Sequence, residues 1–162
     1  MKSQIPTATK IIDAPADTIY NIIADYRSMH WLILPKEYFL SLDVEQGGFG
    51  AGTIINFEMR ILGQTRSFRS LITEPEPGRV LVETDINTKV ATSFQVIPMD
   101  DGQQSRVTIS TELKTGTIVE KFIAKWILQK IYRQELDLLT RVAEEQVKLK
   151  RSSGGNKERS VS

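Results

Sequence analysis

Near the start of the chain, hydrophobic residues recur at the spacing of one helix face. The positions i, i+3, i+4 and i+7 of this face are occupied by Ile19, Ile22, Ile23 and Tyr26. Pro15 suits the first helical turn, because its missing N–H has no intrahelical partner there in any case. The pattern predicts a helix from about Pro15 to Asp25, with a short strand over 7–12 before it and a short apolar helical or irregular segment over 27–34 after it.

From about Glu37 to Leu113 the hydrophobic period changes from 3.6 to 2, which is typical of strands with one buried face. Turns rich in Gly, Pro, Asp and Asn divide this region into six segments. Consecutive strands joined by short turns predict an antiparallel meander. The predicted strands cover 38–44, 53–61, 65–73, 79–85, 90–97 and 106–113.

After residue 117 the pattern returns to a helix that runs to about Leu149. Its hydrophobic stripe is not constant, because the face over 119–126 and the face formed from Leu128 onward point in nearly opposite directions at about 100° per residue. A straight helix on one sheet cannot bury both faces. We therefore expect either a kink near Ile127 and Leu128, or a first segment that packs against loops, a partner or a ligand.

Composition excludes several classes of chemistry. The 162 residues are 40% hydrophobic and 25% charged, as in a soluble globular domain, and the absence of cysteine excludes disulfides, Cys-ligated zinc, iron–sulfur clusters and thiol catalysis. A single histidine disfavours His-based metal sites and Ser-His-Asp triads, so we expect no metal and no cofactor. No apolar run reaches the ~20 residues of a membrane span and the N-terminus does not resemble a signal peptide, which predicts a cytoplasmic protein without stable membrane insertion.

Charge is concentrated at the C-terminus. Residues 148–162 contain five basic side chains against Glu158, which leaves residues 1–147 mildly acidic. Nucleic-acid binding needs a concentrated basic face, and the folded part offers none, so we expect no nucleic-acid partner. We predict a single ligand-binding domain over 1–147, present as a monomer or weak homodimer, and a basic disordered tail over 148–162.

The order of elements and several short motifs resemble the SRPBCC (START, Bet v 1-like) superfamily, and more narrowly its polyketide cyclase/dehydrase-type and coenzyme Q-binding-type members. The resemblance covers about residues 5–147. It is carried by the helix entry 13–20, Asp25, the segment Trp31 to Pro35, the turns 50–52 and 73–79, and the terminal segment 138–144.

What the resemblance implies is a helix-grip fold of the α+β class. A bent antiparallel sheet of about seven strands wraps a long C-terminal helix, with two short helices after the first strand. Between sheet and helix, members of this superfamily hold an apolar cavity that binds lipids, hormones, quinones or polyketides, and a minority catalyse a reaction there.

Large side chains expected to face inward are the candidate ligand-binding residues. They are Trp31, Phe57, Met59, Phe68, Ile72, Val82, Thr84, Phe94, Val96, Phe122 and Trp126. Ordinary core packing explains such residues in any helix-on-sheet protein, and only the resemblance favours a cavity. Trp31 is expected at the cavity mouth, and Trp126 where the C-terminal helix changes its buried face.

His30 is the first candidate for a general base, because its unperturbed pKa lies near neutrality. No second histidine, cysteine or orienting carboxylate accompanies it at a recognisable spacing, so a helix-end or cavity-rim position is the simpler interpretation. Glu58 and Arg60 share a strand face, which predicts a solvated surface pair unless that face lines the cavity. The glycine-rich stretch 47–52 lacks the Lys-Ser/Thr of a phosphate-binding loop and precedes a strand, so it predicts a flexible turn.

These observations favour a module that binds a small apolar ligand such as a lipid, quinone or polyketide-like compound. The alternative is a cyclase- or dehydrase-type enzyme that acts on an aromatic or polyketide-like substrate, with His30 or a cavity carboxylate as acid or base. A third possibility is a protein-interaction role for the face over 119–126.

Overall fold

The computed structural model describes residues 5–113, 116 and 118–159, without the side chains of 118, 119, 122 and 155–159. Its strands are β1 Thr7–Ile12, β2 Phe39–Gln46, β3 Ile54–Ile61, β4 Gln64–Glu76, β5 Val80–Asp85, β6 Ala91–Met99 and β7 Gln104–Glu112. The α-helices are α1 Ala16–Ala24 and α2 Ile118–Arg159, and 3₁₀ helices cover His30–Ile33 and Asp100–Gly102.

The seven strands form one antiparallel sheet in the order β1-β7-β6-β5-β4-β3-β2. β2 to β7 follow each other as a meander, and β1 joins the sheet by pairing with β7, so that Ala8 lies opposite Ile109. This arrangement confirms the predicted α+β fold, including the helix pair after the first strand and the long C-terminal helix. Pro15 is the N-cap of α1 and Asp25 its C-cap, as the spacing predicts.

The faces of the strands agree with the alternation except where the register shifts. In β3 the predicted face is correct, since Ile55 and Met59 are buried and Phe57 points to the same side. In β2 a bulge between Phe39 and Ser41 breaks the predicted alternation. As a result Phe39 is buried and Leu40, which the simple alternation places inside, is exposed.

Helix α2 continues without interruption past Ile127 and Leu128, and it extends to Arg159 rather than ending near Leu149 as predicted. Residues 148–159 are therefore helical here, although the sequence predicts a disordered tail. The helix packs closely on β1, α1 and the 3₁₀ helix His30–Ile33. Its second half contributes buried side chains to the core, namely Ile131, Leu136, Leu139 and Ala143.

Side chains of β2 to β6 and of the first half of α2 line a space that lies between the sheet and the helix. The first segment of α2 lines this space with Ile123, Ala124 and Ile127. Of the face predicted over 119–126, Ile123 lines the cavity and Trp126 is exposed, whereas the side chains of 119 and 122 lie outside the described residues. Within the described residues, no helix is long and apolar enough to cross a bilayer.

Candidate functional site

A cavity of about 770 Å³ lies between the concave face of the sheet and α2. Every strand from β2 to β7 contributes to its wall, together with the 3₁₀ helix at His30 and the first five turns of α2. Most of the wall is apolar, and its aromatic part is formed by Phe39, Phe57, Phe68 and Phe94. Phe57 stacks on Phe68 with ring centroids 5.1 Å apart, which gives the wall a flat aromatic surface.

The cavity is open at one end. Leu62, at the β3–β4 turn, and Ile123, on the first part of α2, both line the cavity and are exposed to solvent. Gly116 and the exposed Gln64 border the same opening. At the other end the lining residues His30 and Glu135 are only 2% and 3% exposed. The cavity therefore has one solvent-exposed opening and a closed inner end.

His30 is fixed at this inner end by three contacts. Its Nδ1 lies 2.7 Å from the carbonyl oxygen of Ile23, and a carbonyl can only accept, so Nδ1 carries a proton. The ring stacks on Tyr26 at 4.3 Å and meets Phe94 edge-on at 5.9 Å. Burial lowers the pKa of His30, against the opposing effect of the Glu83 charge, so the ring is neutral and Nε2 holds a lone pair.

Glu83 is an acidic neighbour of His30 that the sequence did not reveal. Its Oε1 accepts a hydrogen bond of 2.6 Å from the Tyr26 hydroxyl and lies 3.5 Å from His30 Nε2. Burial and the neighbouring Glu83 charge raise the pKa of Tyr26, which keeps that hydroxyl protonated as a donor. His30 is thus a buried wall residue in contact with an acid, rather than the rim residue that its isolation in the sequence suggests.

A second buried acid, Glu135, faces the cavity from α2. Burial and the negative charge of Glu83 raise its pKa well above the usual range. One turn earlier, Tyr132 bonds through its hydroxyl to Thr111 Oγ1, which in turn bonds to Thr92 Oγ1 at 2.7 Å. The inner end therefore combines neutral donors and acidic groups inside an otherwise apolar cavity.

Asp85 also lines the cavity, but its oxygens are occupied by the β5–β6 turn. Its Oδ2 accepts from Thr88 N and Thr88 Oγ1, each at 2.8 Å, and its Oδ1 accepts from Arg69 N at 3.2 Å. Burial alone raises the pKa of this carboxyl, yet these hydrogen bonds outweigh burial and lower it. We assign Asp85 to the turn and not to ligand chemistry.

Four of the predicted ligand-binding residues, Phe57, Met59, Phe68 and Phe94, come together in the cavity wall. Ile72 and Val96 lie further along the inward faces of β4 and β6 and are fully buried in the core beyond the cavity. Phe122 lies among the residues whose side chains the structure does not describe.

Val82 and Thr84 were assigned to the wrong face of β5. Successive side chains of a strand point to opposite sides, and in β5 the inward positions are Leu81, Glu83 and Asp85. Apolarity misled the prediction because the inward face carries two acids at the cavity. Leu81 is the residue that could have identified the inward face. It is fully buried, and Glu83 and Asp85 point to the same side of the sheet because they follow it at intervals of two residues.

The two tryptophans lie outside the cavity wall. Trp126 is 63% exposed, although its helix neighbours Ile123 and Ile127 line the cavity. Trp31 is half-buried within the 3₁₀ helix His30–Ile33, with the Lys36 ammonium 3.7 Å from its ring centroid. Neither side chain contacts the space that they were expected to report on.

Glu58 and Arg60 are exposed on the outer face of β3, as the surface interpretation predicts. Glu135 was missed because a carboxylate in an apolar helix stripe is normally assigned to the solvent face. Its spacing from Ile131 and Leu139 places it in that stripe, and this was the signal that could have revealed it.

The sequence matches a known protein family over most of its length. Residues 5–144 match the family described as polyketide cyclase / dehydrase and lipid transport. The chain belongs to this family. Its fold is the helix grip of the START/SRPBCC superfamily, so the resemblance seen in the sequence is confirmed. A search of curated proteins found no significant match.

Solved structures of the same fold cover nearly the whole chain. The KanY protein, solved by NMR, aligns with a TM-score of 0.78 and 23% identity over 89% of this chain and 99% of its own. A START superfamily protein from Mycobacterium smegmatis gives 0.71 and 14% over 88% and 98%. The Zhui aromatase/cyclase from Streptomyces sp. R1128 gives 0.71 and 15% over 88% and 94%. At these identities the similarity establishes the fold of this family member and not its chemistry.

Proposed function

We propose that this protein binds a small hydrophobic ligand, of the lipid, quinone or polyketide-like class, in the cavity between the sheet and α2. The observation that carries the proposal is the cavity itself, about 770 Å³ with a predominantly apolar wall and one open end. Ligand pockets in proteins range from roughly 300 to 1,000 Å³. Burying apolar ligand surface there contributes roughly 25 cal/mol per Å², so a fused-ring compound suffices for measurable affinity.

Family membership supports the same proposal, since its description includes both cyclase or dehydrase activity and lipid transport. We propose Phe57, Met59, Phe68 and Phe94 as the residues that contact the ligand. All four line the cavity, and Phe57 stacks on Phe68.

The test is a titration with N-phenyl-1-naphthylamine, a neutral aromatic probe whose fluorescence rises in apolar surroundings. Ala124 lies on α2 in the cavity wall, and Ala124→Phe adds a phenyl ring to that space. We expect saturable binding by the wild type and at least tenfold weaker binding by Ala124→Phe. Ala51→Phe places the same ring on an exposed turn and serves as the matched control.

Unsaturable binding, or equal affinity in Ala124→Phe, contradicts the proposal. Melting temperatures of all three proteins show whether the cavity variant folds. Mass spectrometry of compounds extracted from the purified protein then identifies the ligand class directly.

A second candidate function is acid–base catalysis on a substrate in the same cavity. The supporting observation is the His30 ring, which lines the cavity with Nε2 3.5 Å from Glu83 Oε1 and whose pKa is lowered by burial. Such a nitrogen within reach of a substrate proton is a competent general base. Conversion of an aromatic polyketide-like substrate that disappears in His30→Gln, while probe binding persists, favours catalysis over simple binding.

The remaining predictions about partners and location stay predictions. They are the monomeric or weakly dimeric state, the absence of a nucleic-acid partner and the cytoplasmic location. We likewise propose residues 1–147 as the ligand-binding unit.

A further inference from the structure

Glu135 has an unsatisfied oxygen at the closed end of the cavity. In the described part of the chain, Glu135 Oε2 is the buried side-chain polar atom without a hydrogen-bond partner. The residue is 3% exposed and lines the cavity. An unpaired buried polar group is costly, so a native structure that keeps one gives a reason to look for the missing partner.

The neighbouring donor groups are already engaged in other hydrogen bonds. The Tyr26 hydroxyl donates to Glu83, and His30 Nδ1 donates to the Ile23 carbonyl. Tyr132 bonds to Thr111. None of these contacts uses Glu135 Oε2, and this oxygen belongs to a residue of the cavity wall.

The charges around Glu135 indicate which form of the carboxyl is present. Burial and the Glu83 charge raise the pKa of Glu135, and the basic residues of the cavity wall, Arg66 and Lys121, lie toward the mouth. Burial and the neighbouring negative charge therefore both favour the protonated form of this carboxyl. A protonated carboxyl has an O–H to donate, whereas a carboxylate only accepts.

We propose that Glu135 donates this hydrogen bond to a carbonyl or hydroxyl oxygen at the leading end of the cavity ligand. The inference rests on the proposed function and narrows it to apolar aromatic compounds that carry such an oxygen on the end that enters first. The rest of the molecule then packs against Phe57, Phe68 and Phe94. An ammonium group fits less well, because its desolvation in an apolar cavity is costly.

The experiment compares three compounds of one shape that differ at a single carbon. Fluorene has CH₂ at this position, 9-fluorenone has a carbonyl, and 9-aminofluorene has a protonated amine. In a purely apolar site fluorenone binds more weakly than fluorene, because its oxygen loses hydration. We expect calorimetry to give fluorenone an affinity at least fivefold higher than that of fluorene in the wild type.

Variants locate the effect at one side chain. Glu135→Leu removes the donor and should abolish the fluorenone preference, while fluorene binds as tightly as before or more tightly. Glu135→Gln keeps an N–H donor and should retain at least threefold preference. Glu144→Leu makes the same change on an exposed position of α2 and should leave all affinities unchanged.

A spectroscopic measurement checks the bond independently. The carbonyl stretch of bound fluorenone should lie lower in the wild type than in Glu135→Leu, because a donated hydrogen bond weakens the C=O bond. Melting temperatures confirm that each variant is folded.

The outcomes separate the two proposals. If fluorene does not bind the wild type saturably, the ligand-binding function is overturned together with this inference. If fluorene binds but fluorenone shows no preference, or keeps its preference in Glu135→Leu, only the role of Glu135 is overturned. Tighter binding of 9-aminofluorene than of fluorenone also overturns it, in favour of a cation site.

Discussion

At the scale of single residues, the buried acids of the cavity differ in how their oxygens are satisfied. Asp85 accepts three hydrogen bonds from the adjacent turn and strand, whereas Glu135 retains an unpartnered oxygen. Both carboxyl groups are buried, but the pKa of Asp85 is lowered, because its hydrogen bonds outweigh burial, and the pKa of Glu135 is raised. Folding stability should respond to pH in opposite directions at the two sites.

The first prediction concerns Glu135, which interacts with the titratable groups Glu83, Tyr26 and Tyr132. Because folding raises the pKa of Glu135, the folded state loses stability as pH rises above about 4.5 toward the folded pKa, by up to about 1.4 kcal/mol per unit. Glu135→Gln removes this pH-dependent loss of stability. The free energy of unfolding of Glu135→Gln, relative to that of the wild type, should therefore increase from pH 5 to pH 8. Urea unfolding of both proteins at several pH values measures the difference, and a constant difference contradicts the prediction.

The second prediction concerns Asp85. Its lowered pKa stabilises the folded state above the unfolded pKa of 3.8, and this stabilisation is lost as pH falls through the folded pKa. Asp85→Asn should cost about 1–3 kcal/mol at pH 7, because the buried amide cannot accept all three bonds of the turn. The gap between variant and wild type should narrow below pH 4. A gap that widens in acid argues against this account.

At the scale of elements, the glycine-rich turn 47–52 fixes the end of α1. Tyr26 N donates to the Gly48 carbonyl at 2.9 Å, and Gly50 N donates to the Ala24 carbonyl at 3.0 Å. Glu74 of β4 accepts from Ala51 N at 2.9 Å. The turn thus holds Tyr26 against Glu83 and His30, and it serves the cavity through packing rather than through flexibility.

The third prediction separates two costs at Gly50. Its φ is +64°, and a Cβ there would lie 2.7 Å from Glu74 Oε2. Gly63 has a similar φ of +75°, but a Cβ there would meet no atom within 4 Å. Gly63→Ala should cost about 1–2 kcal/mol from backbone strain alone, and Gly50→Ala should cost more because Glu74 must also move. Thermal unfolding compares the two, and equal losses would show that the Glu74 contact is unimportant.

At the scale of the whole molecule, α2 is anchored at one end and spans the cavity at the other. Its second half packs on β1 and α1, and its first turns face the open space with Ile123 partly in solvent. The last turns contribute little burial, since residues 148–154 are exposed and Lys150 donates a single bond of 3.2 Å to Thr18.

The fourth prediction follows from this anchoring. Deleting residues 152–162 should change the melting temperature by no more than about one or two degrees, because a polar terminus without apolar periodicity contributes little burial. Leu139→Ala, within the anchored half, should cost about 2–5 kcal/mol. If the truncated chain unfolds early, the proposed boundary near residue 147 is wrong.

Hydrophobic periodicity alone determined the elements and their order. The spacing of Ile19 to Tyr26 specified α1, and the alternation from about Glu37 to Leu113 specified an antiparallel meander, because each pattern buries one face only in its own periodic structure. The aromatic part of the cavity followed from the same rule, since Phe57 and Phe68 lie on the apolar faces of their strands.

Only the tertiary structure decided which polar groups enter the cavity and how the helix is used. Apolarity predicts the wrong inward face at the β2 bulge near Leu40 and in β5, where two acids point inward. The hydrophobic periodicity of the sequence reveals neither feature. Glu83, His30 and Glu135 come from a strand and two helices far apart in the chain, so no spacing links them. The pKa shifts of His30 and Glu135 depend on burial and on the nearby Glu83 charge, and these surroundings form only once the sheet has closed over α2.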